Sequence, residues 1–402
     1  MQKKIEIPLS VIVALFPALA VYNFISGTNL AFFLLYISLI PFLFYRKKNV
    51  INYDEIFFMF CVLLISILSC LFHLILCTEW FDFILFTHNM YGIIICLFPL
   101  CFVSNYINTD VFLKTVLFGS VLASLILIWQ WVSLLVTGSF QMNVFIPGLE
   151  IYRDIETFTK FRPSSFFTEP AHFAIYVLPA FQIALNQKKH FLTCLYAFSI
   201  LCSGSATGFV LMSILMVYHL YHIGSKKWYV ALLGIVALII GIQFVYVMFP
   251  EIFLKFFDKF DAVMEGNSNS RLLGPIDYLS LLQYYEHFCG ITLNQLHNLL
   301  VEDGRFTITK NYANAVIYMY ISFGITGFLV LIDYIVRKFC AIKTSYGFLI
   351  IFISIVCSDQ ILFNGNFLYL ITFVLMTDRI YHVIKMHDKN SNAMCAAAKS
   401  ID

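Results

Sequence analysis

Residues Arg162-Pro163-Ser164-Ser165-Phe166-Phe167-Thr168-Glu169-Pro170-Ala171-His172-Phe173 bring a guanidinium, a carboxylate and an imidazole into one short stretch, where a long apolar run begins. A carboxylate or imidazole can take a proton from a nucleophile, and a cation can stabilise a departing anion. Pro170 suits the first turn of a helix, because its fixed φ and missing N–H cost nothing there. Glu169 then stands at the start of a helix. His172, three residues on, shares its face, and Arg162 reaches in from the extended segment before it. The competing reading is structural: Glu169 offsets the helix dipole, worth under about 1 kcal/mol, and His172 anchors the membrane interface.

These few ionisable groups stand out because the chain has so few. Of its 402 residues 61% are hydrophobic and only 12% charged, with 44 Phe and 23 Tyr, and the mean hydropathy is +0.86. Apolar runs long enough to cross a bilayer recur throughout, so the chain reads as an all-α integral membrane protein. About twelve spans are expected, at 7–25, 29–45, 56–76, 86–104, 111–136, 172–186, 191–204, 207–223, 228–248, 313–336, 345–358 and 361–381. The first run contains Ala18-Leu19-Ala20, which resembles a cleavage site, but further spans follow at once and it reads as a retained span. With the N-terminus inside, 17 of the 25 Lys and Arg fall on the cytoplasmic side. That asymmetry predicts an even number of spans with both termini cytoplasmic.

The connecting segments are unequal. Two outer loops are long, 137–171 and 249–312, whereas the inner ones hold a handful of residues. No glycine-rich phosphate loop occurs and the inner face has no room for a nucleotide domain. Chemistry at the outer face therefore calls for a lipid-linked activated donor with diphosphate as its leaving group. The 11 cysteines form no Cys-x-x-Cys pair and fall mostly in or beside spans, where they act as small apolar residues; no metal site or disulfide framework is expected. The polar, then alanine-rich stretch 388–402 reads as a disordered cytoplasmic tail.

The second loop opens with an amphipathic stretch, Ile252 to Met264, expected as a helix on the membrane surface. Asn267-Ser268-Asn269-Ser270-Arg271 follows, a polar turn that can cap a helix and present Arg271 at its N-terminal end, where a diphosphate can sit. Arg305 is a second cationic candidate, though Glu302 and Asp303 beside it suit a solvated ion pair. His297 is a further candidate base.

The stretch Arg162 to Phe173 resembles the Arg-x-x-Ser-x-Phe-x-Glu-Pro-x-His motif of Wzy-type polysaccharide polymerases, which join O-antigen or capsule repeat units. Ser203-Gly204-Ser205-Ala206-Thr207-Gly208, the Asn-Ser-Arg turn before Gly290, and Phe323-Gly324-Ile325-Thr326-Gly327 add to the resemblance, which covers roughly Pro147 to Leu331. It implies the GT-C-like architecture of membrane glycosyltransferases and two long outer loops bearing essential arginines. It also implies a reaction in the bacterial plasma membrane. A glycan on undecaprenyl diphosphate passes to a sugar hydroxyl of an incoming lipid-linked repeat unit, with inversion at the anomeric carbon, no metal and no cofactor. Arg162 and Arg271 would stabilise the diphosphate, Glu169 would be the base, and His172 would stand beside it. Arg153, Ser165, Arg305, His297 and Asn314 are candidates for holding diphosphate or glycan. Implied partners are the two lipid-linked glycans, the bilayer, and a chain-length regulator and flippase of the same pathway, with no nucleic acid. In the related O-antigen ligases a His-Asn pair opens the late span, whereas Tyr312-Ala313-Asn314 stands here. That departure and the Glu169-Pro170 pair favour a polymerase over a ligase. A transporter or flippase calls for charges or broken helices near mid-membrane, and the sequence places its charges mostly in loops.

Overall fold

The computed structural model describes residues 2–25, 28–43, 51–138, 149, 151, 163–223, 278–303 and 313–399. In chain order the helices are α1 (Gln2–Ala14), α2 (Phe16–Leu19), α3 (Leu30–Leu43), α4 (Tyr53–Ile75), α5 (Phe83–Tyr106), α6 (Thr109–Thr137), α7 (Pro170–Asn186), α8 (His190–Cys202) and α9 (Ala206–Ile223). After these come α10 (Tyr284–Cys289), α11 (Leu296–Asp303), α12 (Ala315–Ala341), α13 (Gly347–Ser358) and α14 (Gly365–Lys399).

Five of these helices, α4, α5, α6, α12 and the first part of α14, are long and apolar enough to cross a membrane. At a rise of about 1.5 Å per residue, α4 is about 35 Å long, more than the hydrocarbon thickness of a bilayer. Its outward face carries Phe60, 59% exposed, with Leu64 and Leu71, and α6 exposes Phe118 at 71%. Such surfaces are stable against lipid chains and not against water. The chain is an all-α, multi-pass membrane protein.

Local chemistry sets the helix ends. The Asp82 side chain accepts from the Ile84 and Leu85 amides to start α5. Asn108 caps α6 by accepting from Val111 N at 3.2 Å, and Gly138, with φ +65°, closes it. Capping of this kind is worth about 1 kcal/mol per helix.

Two expectations change. The run 7–25 is not one span: it breaks at Leu15, and Asn23–Ile25 pairs antiparallel with Thr28–Asn29 in a short hairpin. Pro17 starts a new helical turn there, and the polar Ser26-Gly27-Thr28-Asn29 sequence suits a turn. The final helix continues to Lys399, through most of the stretch read as a disordered tail, because the packed first part of α14 supplies the nucleus and alanines propagate it. The expected span 228–248 lies outside the described residues, as do 252–264 and the Asn267–Arg271 turn.

Among the described residues, cations sort to one end of the bundle. Arg379 on α14 donates to the Ser104 carbonyl and the Asn105 side chain at the last turn of α5. Lys338 on α12 pairs with Glu55 at 2.6 Å and Asp54 at 3.2 Å at the start of α4. Lys114, Lys188, Lys189 and Lys343 lie on the same side, in the first turns of α6 or in the turns after α7 and α12. At this end Glu55 is 2% exposed and also accepts from the Tyr334 hydroxyl at 2.6 Å. Removing one partner of such a buried pair strands the other, at a cost of about 3–5 kcal/mol. Lys338→Met should therefore lower the thermal midpoint in detergent sharply, and adding Glu55→Gln should recover part of the loss. Equal midpoints for wild type and the single variant would contradict this.

Nine residues into its length from Ala315, α12 is broken at Gly324, whose φ of 65° and ψ of −166° lie outside helical values. There its backbone meets that of Phe288 and Cys289, while Gly290, with φ +74°, meets Ser322 and Phe323. Ile291 N donates to Ile321 O at 3.0 Å and Thr292 N to Ser322 O at 2.9 Å. Two glycines thus let two backbones cross with no side chain between them. The Ser69 hydroxyl on α4 closes the junction by donating to the Gly290 carbonyl at 2.6 Å.

Candidate functional site

The described part of the motif stretch, from Pro163 onward, lies at the end of the bundle opposite the described cations and leads into the start of α7. Gln130 on α6 is fully buried and spends both halves of its amide on one residue. Its Oε1 accepts from Ser165 N at 3.0 Å and its Nε2 donates to Ser165 O at 3.3 Å. Ser165 is held at φ 60°, a left-handed conformation that costs a serine of the order of 1 kcal/mol. Its hydroxyl is buried without a hydrogen-bond partner, the kind of orphaned group that calls for a functional explanation. The Ser164 hydroxyl donates to the Phe167 carbonyl at 2.7 Å, and Phe167 N donates back to Ser164 O at 3.0 Å. Phe167 itself is fully buried against the rings of Phe173 and Tyr176.

This rigid turn delivers Glu169 and His172. Pro170 is the first residue of α7, as its chemistry requires, and Glu169 is the N-cap with φ −141° and ψ 150°. The Glu169 carboxylate makes no capping hydrogen bond to its own helix. His172 Nδ1 lies 3.1 Å from the Thr168 hydroxyl, which orients the ring. Both side chains are half-buried, so they meet both protein and solvent or headgroup.

The run Ser203 to Gly208 supports the same turn. Trp131 Nε1 donates to the Cys202 carbonyl at 2.8 Å, fixing the end of α8 to α6. The Ser205 hydroxyl accepts from Gly208 N at 3.2 Å to start α9. A β-carbon at Gly208 would come 2.6 Å from that of Ala174 on α7, so glycine permits the close packing.

The remaining described candidates sit on a second framework at the same end. Asn314 is the N-cap of α12, and its side chain accepts from Ile317 N at 2.9 Å. It is committed to the helix, which explains its position without a substrate. His297 is half-buried on the short helix α11. The segment carrying it is tied down on three sides. The Tyr318 hydroxyl donates to the Asn294 side chain at 2.6 Å, Asn294 donates to Asn89 at 2.8 Å, and Gln295 donates to the Asp82 carbonyl at 2.6 Å. Glu286 accepts from Gln283 N at 2.6 Å, and burial pushes its carboxyl upward from the usual range.

Arg162, Arg271, Arg153 and Arg305 lie outside the described residues. Among the described residues no three His, Cys, Asp or Glu side chains gather as a metal site. Gln130 went unnoticed in the sequence, since a glutamine in an apolar span carries no spacing signal. No protein-family model matches the chain, and no curated protein does.

Proposed function

We propose that this protein polymerises undecaprenyl-diphosphate-linked oligosaccharide repeat units into O-antigen or capsular polysaccharide at the outer face of the bacterial plasma membrane. The observation that carries the reading is the presentation of Glu169. A carboxylate placed at a helix N-terminus, released from capping, stands one turn from His172 on a turn that Gln130 holds in a costly conformation. That arrangement supports proton abstraction from a hydroxyl at a membrane surface. The gathering of the described cations at the other end supports an orientation with the motif outside and both termini cytoplasmic.

In this reading the acceptor hydroxyl oxygen attacks the anomeric carbon of the donor sugar from the face opposite the diphosphate. Its proton passes to Glu169, and the bond from the anomeric carbon to the diphosphate oxygen breaks with its electron pair leaving on the diphosphate. Arg162 and Arg271 receive that charge through hydrogen bonds worth about 1.5–3 kcal/mol each. Arg162→Ala and Arg271→Ala should each remove long-chain polysaccharide from the cell surface while the protein still reaches the membrane. The check is a gel of surface polysaccharide beside an immunoblot of membranes; wild-type chains from either variant would remove that arginine from the mechanism.

A further inference from the structure

The segment around α10 belongs to a stretch that the sequence places outside the membrane, yet its contacts lie well inside two spanning helices. α10 packs on both α4 and α12. Near its start the Tyr285 ring lies 5.8 Å from that of His73, close to the end of α4. Just past its end, the Gly290 carbonyl accepts from Ser69, six residues before α4 closes at Ile75. A β-carbon on Gly290 would meet Ser322, seven residues into α12. At the helical rise these positions are about 9 Å and about 11 Å along their helices, so both helices give Gly290 the same depth. The stretch of α12 from Ala315 to Ile332 carries no charged residue and is about 27 Å long, no more than the hydrocarbon core of a bilayer. A residue about 11 Å into it lies among acyl chains. From Gly290 the chain climbs back: Asn294 N donates to the Tyr318 hydroxyl at 2.7 Å, and Gln295 reaches the Asp82 carbonyl at the start of α5.

Irregular backbone at such a depth must be shielded and hydrogen-bonded within the protein. Gly290, Ile291 and Thr292 are buried. Gly290 N donates to Glu286 O at 2.7 Å, Ile291 N and Thr292 N donate to α12, and Phe288 O accepts from the Thr326 hydroxyl at 3.0 Å. The other face of α10 is the reverse. Tyr284 is 97% exposed and Phe288, one turn deeper, 62%. Leu71 and Phe72 on α4 and Ile325 and Leu329 on α12 are exposed apolar side chains at neighbouring levels, so Tyr284 and Phe288 extend a surface that already faces lipid.

We propose that residues 284–292 dip into the outer leaflet and that Tyr284 and Phe288 dock against the acyl chains of its phospholipids. The dip anchors the segment bearing α11 and His297 to the bilayer as well as to the protein. This holds whatever reaction the protein performs.

The test is photo-crosslinking of the full-length protein in nanodiscs of phosphatidylglycerol and phosphatidylethanolamine. The photoreactive residue p-benzoylphenylalanine replaces Phe288 or Tyr284 in separate variants, each checked by a thermal melt. It replaces Phe60, on the lipid-facing side of α4, as the positive control, and Val301 on α11, 55% exposed, as the comparison outside the dip. Mass spectrometry should find phospholipid attached through its acyl chain at position 288, with a yield within about threefold of position 60 and about tenfold above position 301. Position 284, if the 288 variant does not fold, reads the same face and should also carry phospholipid. A crosslink from 288 and 284 to a peptide of this chain would show that the face is covered by protein and overturn the proposal. So would the lack of any lipid adduct at both positions while position 60 is labelled, the result expected of a water-filled cavity.

Discussion

Glu169→Gln should slow polymerisation by about 10²–10⁴-fold, the usual contribution of a positioned general base. Glutamine keeps the size of the side chain but cannot take the proton. Because the Glu169 carboxylate does not cap α7, losing its charge leaves the start of that helix intact and costs it a dipole interaction worth under about 1 kcal/mol. The variant should therefore be present in membranes at wild-type levels and melt within a few degrees of wild type. A turnover assay on purified protein beside a melt separates the two effects. Near-normal turnover would make the carboxylate structural and pass the role of base to His172 or His297.

Gly324→Ala should be the most damaging small substitution in the described chain. A β-carbon there would collide with the carbonyl group of Phe288 and the amide nitrogen of Cys289, backbone atoms that cannot swing aside. It would also force a φ of +65° on alanine. Conformational strain and overpacking together cost about 3 kcal/mol or more, enough to disorganise the segment that carries α10 and α11. Gly290→Ala should behave alike, since its β-carbon would meet the backbone of Ser322 and Phe323. Gly92→Ala is the control: nothing lies within 4 Å of its β-carbon, and alanine in a helix gains about 0.5–1 kcal/mol. Membrane yield and thermal midpoint read all three. A Gly324→Ala protein as stable as Gly92→Ala would show that the two backbones do not cross as described.

The contrast between these glycines shows what the sequence could reveal. Pro170 marked the start of α7 because proline acts through its own φ and its own missing N–H, and both are local. The apolar runs gave the helices for the same reason, since burial against lipid needs no particular partner. The break at Gly324 was invisible as a break: its cause is the backbone of Phe288, far away in the chain. Gln130 was hidden similarly, because only the fold shows that its amide meets Ser165. The hairpin at Asn23–Asn29 was missed because the hydropathy of 7–25 outweighed its turn residues. The continuation of α14 to Lys399 went the other way: composition favoured disorder, while a helix already nucleated by packing extends through alanines at little cost.

The central claim is that the protein joins lipid-linked repeat units, and the most direct measurement is made in cells lacking it. The gene is deleted in its native host, and surface polysaccharide and lipid-linked intermediates are compared by gel and mass spectrometry. Single repeat units in place of long chains, restored to long chains by the wild-type gene but not by Glu169→Gln, are the predicted result. Long polymer stranded on undecaprenyl diphosphate would contradict it and indicate a ligase, and repeat units confined to the cytoplasmic leaflet would indicate a flippase.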